Sequence, residues 1–133
     1  MNEELFWQIV ASAQGSAEKL KQRLLACSKE ELVSFHQLLD EALYQLDREE
    51  IHEITDGSDD GFEYVRIWIV SQGRSYFEAV LQDPTQAPHD ADENQENEAF
   101  GYAAREAYEE KWGEAFPQMP SQRVTGTNPE GWP

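Results

Sequence analysis

The stretch Phe62-Glu63-Tyr64-Val65-Arg66-Ile67-Trp68-Ile69-Val70 places the tightest limit on how this chain can fold. Wound as a helix, it puts Phe62, Val65 and Ile69 on one line, and Tyr64, Ile67 and Trp68 widen that line nearly all the way round. A helix that is apolar on almost every side has to be wrapped by other elements. The spacing therefore predicts a central helix, and its lone Arg66 needs a partner, because an unpaired guanidinium in apolar surroundings is costly. Glu63 lies three residues before Arg66, within helical reach, and an ion pair between them is the expected solution. Turn chemistry in Asp56-Gly57-Ser58-Asp59-Asp60-Gly61 bounds the segment on one side, with Ser58 or Asp59 as the cap, and Gly73 ends it on the other.

The rest of the chain repeats the same period. Leu5, Phe6, Ile9, Val10 and Ala13 form one stripe behind Asn2, and Leu20 and Leu24 form a second after Ser16. Ser28-Lys29-Glu30-Glu31 is a capping box that launches Leu32, Phe35, Leu39, Ala42 and Leu46. Ser75–Gln82 carries Tyr76, Phe77, Val80 and Leu81 until Asp83-Pro84, and Phe100–Trp112 forms the last stripe. No convincing strand alternation occurs. These patterns predict an all-α fold: a single domain of five to six helices over residues 1–116, with an acidic loop at 83–99. Residues 117–133 read as an irregular tail with four prolines, extended unless Met119, Val124 or Trp132 docks. The 83–99 segment holds six acids, no base and no large apolar residue, so it is expected to be a solvated linker outside the core.

Charge narrows the function classes. Lys and Arg number 10 against 27 Asp and Glu, a formal charge of −17. That balance argues against nucleic-acid backbones and anionic membranes and leaves a basic partner, a cation or mere solubility as what the charge serves. Asp40–Glu63 alone contains ten acids and one base, Arg48. Cys27 has no partner for an internal disulfide, and the N-terminal residues lack a signal pattern, so cytoplasmic residence is the expectation.

Residues Gly57–Gly73, which join Ser58-Asp59-Asp60-Gly61-Phe62 to Arg66, Trp68 and Gly73, resemble the signature of a bacterial family, domain of unknown function 4240 (DUF4240). Phe6-Trp7, the Leu32–Phe35 stretch, Gln82-Asp83-Pro84 and the helix with Tyr102 and Tyr108 are similar to it as well, so the resemblance covers about residues 3–112. Similar proteins tend to carry an aromatic and alanine-rich helix where Asp47–Asp56 is mostly charged here. The resemblance implies a fold and no activity.

Candidate functional residues follow from the charged motif and the exposed aromatics. Asp56, Ser58, Asp59, Asp60, Glu63 and Arg66 form the principal cluster, read first as a capped turn with its ion pair. Asp56-x-Ser58-x-Asp60-Gly61 matches half of a calcium loop, but position twelve is Ile67, so no metal is expected. His52 lacks a second histidine and reads as a surface residue; His36 and His89 are isolated. Trp7, Trp112, Glu49, Glu50 and Glu53 are the candidate ligand or partner contacts. The chain reads as an acidic binding protein, without cofactor, that neutralises a basic partner such as a toxin or a nucleic-acid-binding protein. The alternative is a metal-assisted hydrolase using Asp59, Asp60 and Glu63.

Overall fold

A computed structural model describes all 133 residues and contains helices and no strands. Seven helices are present, one more than the upper expectation: α1 Glu3–Ala13, α2 Ala17–Leu24, α3 Lys29–Gln45, α4 Glu49–Thr55, α5 Asp59–Ser71, α6 Arg74–Gln82 and α7 Glu98–Trp112. The additional one is α4, whose charged sequence buries only Ile51 and Thr55. Asn2, Ser16, Ser28 and Ser58 each accept a backbone N–H at the start of a helix, and Ser28 with Glu31 completes the capping box.

The expectation for α5 is met, since it packs against α1, α3, α4, α6 and α7 and buries Phe62, Val65, Arg66, Ile67, Ile69 and Val70. Tyr64 and Trp68 stay half-buried, with the Trp68 ring edge-on to Tyr76. Close approach of α7 to α5 depends on Gly101, where an added Cβ would sit 2.6 Å from the Ile67 side chain. Ala103, Ala104 and Ala107 line the same buried side of α7.

Two segments depart from the sequence reading. The 83–99 stretch is anchored: it forms short 3₁₀ turns at Pro84–Gln86 and Glu93–Gln95, and it buries Ala87 in the core. Asp90 and Ala91 donate their amides to the carbonyls of Ile54 and Thr55 at the end of α4. Such bonds satisfy helix-end carbonyls and need no apolar side chain, so composition gave no sign of them. The tail is irregular as expected, but it docks. Phe116, Arg123, Asn128 and Gly131 are buried, whereas Val124 remains 60% exposed. The Gly131 carbonyl accepts the Glu49 N–H at 2.9 Å, which supplies the first turn of α4 with the cap that Arg48 does not provide.

Candidate functional site

Arg66 does not pair with Glu63. Its side chain is fully buried over the Phe62 ring, with Nη1 donating to the Leu43 carbonyl at 3.0 Å and Nη2 to the Arg123 carbonyl at 2.5 Å. Nε has no partner. Burial pushes the Arg66 pKa down to about 10, although Asp47 and Glu63 oppose the shift. A guanidinium presents its donors as a rigid fork, and here carbonyls converge on that fork where a carboxylate was expected.

The carboxylate of Asp47, just past α3, is held by the tail. Oδ1 accepts from the Gly126 N–H at 2.9 Å and the Trp132 Nε1–H at 2.8 Å. Oδ2 accepts from the N–H groups of Thr127 and Asn128 at 2.8 and 3.1 Å, and from the Thr127 hydroxyl at 3.3 Å. Burial alone would raise its pKa, but these donors and the Arg66 charge outweigh burial and hold it below the ordinary carboxylate range.

One side of α3 also carries His36 and Asp40, a buried pair at helical spacing. Arg123 of the tail reaches into it. Its Nε donates to Asp40, Nη1 donates to the Gly101 carbonyl at 2.7 Å, and Nη2 lies 3.3 Å from His36 Nδ1. Burial, reinforced by the Arg123 charge, pushes the His36 pKa down to about 4, so the ring is neutral at pH 7 and can accept at Nδ1. A cavity of about 160 Å³ opens beside this group, lined also by Glu63, Tyr102, Arg105, Met119 and Ser121. Glu63 is raised above the ordinary carboxylate range by burial, against the pull of Arg123 and Arg66.

The six residues singled out in the sequence are therefore divided among different surroundings. Ser58 caps α5, while Asp59 and Asp60 are exposed in its first turn, favourably placed for the positive helix end. Asp56 is the left-handed C-cap of α4. Only Glu63 reaches the cavity, and Arg66 lies in the core. No group of three His, Cys, Asp or Glu side chains has the geometry of a metal site. Trp7 is buried with its ring against Phe6 and Phe77, and Trp112 is half-buried with Lys111 Nζ 4.8 Å over its ring. His52 is half-buried between Phe62 and Trp132, 3.5 Å from Asp59 without aligning as a hydrogen bond.

Glu49, Glu50 and Glu53 sit on α4 beside the anchored 83–99 segment. Asp56, Asp60, Asp90, Asp92, Glu93, Glu96 and Glu98 form no ion pair either, whereas Lys21, Lys29 and Arg74 are paired elsewhere. Glu98 and Asp60 lie close enough to Tyr64 to push its pKa up.

The His36–Asp40–Arg123 group and the Asp47 cradle were not anticipated. A signal for the first was available, because His36 and Asp40 occupy the buried stripe of α3 between Leu32, Leu39 and Leu43. Polar residues on such a stripe call for a partner.

The family model described as protein of unknown function (DUF4240) matches residues 1–110. The chain belongs to this family. His36, Asp40, Asp47, Arg66 and Gly101 all fall within the DUF4240 match, while Arg123 and residues 126–132 lie beyond it. No curated protein and no solved structure matches the chain.

Proposed function

We propose that this DUF4240 protein is a binding protein whose acidic face receives a basic protein, as a neutraliser of a toxin or nucleic-acid-binding protein would. One observation carries the reading: the acidic segments Glu49–Asp56 and Asp90–Glu98, separated in sequence, are tied side by side by the Asp90 and Ala91 amides, and no Lys or Arg side chain pairs with their carboxylates. Unpaired charge of one sign costs self-repulsion, and it raises the encounter rate with an oppositely charged partner.

The test is affinity capture from the native cell, followed by association kinetics against ionic strength. The captured partner should be basic, and its association should slow as salt shortens the screening length to about 8 Å. Changing Glu49, Glu50 and Glu53 together to Gln should slow association much more than it alters thermal stability. Capture of only acidic or neutral partners, or salt-independent association, would overturn the reading.

A further inference from the structure

We propose that Arg123 fills, from within the same chain, a guanidinium site that an arginine of a basic partner can occupy in its place. This inference rests on the binding reading above and names the chemistry of the partner: an extended segment carrying an arginine.

The acceptors of the site all come from the helical body. Asp40 and His36 stand one turn apart on α3, and the Gly101 carbonyl faces them from α7. Together they engage Nε, Nη1 and Nη2 of one planar guanidinium, with the Tyr102 ring 5.7 Å from its centre. Neutral His36 contributes a lone pair where a protonated ring would repel the cation. Lysine, a single point of charge, cannot reach three acceptors arranged around a fork, so the site discriminates between the two basic side chains.

Beside this site lies a second one that reads backbone. Asp47 stands seven residues after Asp40 along the same chain, about two helical turns, and takes the amides of residues 126–128. Backbone N–H groups belong to any peptide, so an arginine followed a few residues later by a turn satisfies both carboxylates. The occupant seen here has no helix or strand from Gly113 to Pro133; Phe116 anchors its start in the core, and from Ser121 to Asn128 it is held through polar contacts with Asp40, Gly101, Arg66 and Asp47 and not by apolar packing. Asp47 stands two residues before Glu49, whose amide is held by the tail's Gly131 carbonyl, so a partner steered to the α4 carboxylates arrives beside the backbone-reading half of the site.

Hydrogen exchange on the full chain tests the proposal, read at the amides of Gly126, Thr127 and Asn128. These should exchange through a local opening, at least 100-fold faster than the α5 amides of Val65 to Ile69. A synthetic peptide of residues 118–133 should compete with the attached tail and raise that exchange saturably. It should bind the full-length Arg123→Ala chain at least 10-fold more tightly than the wild type, since the attached competitor is weakened. The same peptide with Arg123→Lys should bind at least 10-fold more weakly. Tail amides that exchange only together with α5 would overturn the proposal, and this wild-type measurement decides alone if Arg123→Ala does not fold. Equal binding of the arginine and lysine peptides would also overturn it. Salt-sensitive association of a captured basic protein would still leave the acidic-face reading standing.

Discussion

Asp47→Asn changes one oxygen to an amide and should release much of the tail. The carboxylate accepts five hydrogen bonds, two at Oδ1 and three at Oδ2. An asparagine in the same place must turn its NH₂ group toward one set of donors, so at least two bonds are lost and replaced by donor-to-donor contact. Hydrogen bonds to a charged group contribute about 1.5–3 kcal/mol each. Two lost bonds therefore predict about 3–6 kcal/mol, a large share of the roughly 5–15 kcal/mol that holds a typical domain together. Urea denaturation at pH 7 measures the loss directly, and the melting temperature should fall by about 10 °C or more. A pH series supplies a second check with a definite sign. The folded state holds the Asp47 carboxyl below its ordinary range, so its stabilisation is present above about pH 4 and is lost as pH falls through the lower folded value. The gap between wild type and Asp47→Asn must then narrow in acid. A loss under about 1 kcal/mol at neutral pH, or a gap that does not narrow at all as the pH falls below about 4, would refute the assignment of the tail to this carboxylate.

Three further outcomes are expected. Arg66→Ala should cost at least about 3 kcal/mol in chemical denaturation, because it empties a core position and strands the carbonyls of Leu43 and Arg123. Arg66→Lys should not restore the loss, since an ammonium cannot serve both carbonyls through the same fork. His36 is neutral in the fold down to about pH 4 but titrates near 6.5 when unfolded, so stability should fall as pH drops from about 6.5 toward 4, by up to about 1.4 kcal/mol per pH unit. Glu63, whose folded pKa is raised, contributes the opposite slope at the acid end, so the readout is the difference between wild type and His36→Asn in urea unfolding at pH 7, 6 and 5. Deletion of residues 88–96 removes the Asp90 and Ala91 bonds to α4 and should lower the melting temperature measurably; an unchanged midpoint would return the segment to the role of a passive linker.

What the sequence made legible was the set of elements with strong local signals. Ser28 with Glu31 and Ser58 before Phe62 announce α3 and α5 because a cap is a contact between residues three apart. α4 was not legible, since its seven residues bury only Ile51 and Thr55, and its N-terminus is completed by Gly131. Arg66 was correctly marked as needing a partner, but the choice of Glu63 followed from helical proximity. The groups that satisfy Arg66 are backbone oxygens brought from Leu43 and Arg123 by the fold. Arg123 itself sits among Ser, Gln, Thr and Gly in a tail with no periodicity, and only the polar positions on the α3 stripe hinted that something must reach them.

The Asp47 cradle also sets an order of events during synthesis. The carboxylate is separated by 79 residues from the Gly126 amide and by 85 from the Trp132 indole, so it emerges long before the donors that surround it. Asp40 precedes Arg123 by 83 residues in the same way. While the chain grows, both charges need water, and the C-terminal half of α3 and the residues just past it that carry them must stay solvated after the apolar stripes have met. A short helix such as α4 has little stability of its own before the Gly131 carbonyl arrives. Closure of this side of the molecule therefore depends on long-range contacts made after the last helix is complete, and loop-closure entropy makes such steps slow compared with the pairing of neighbouring helices.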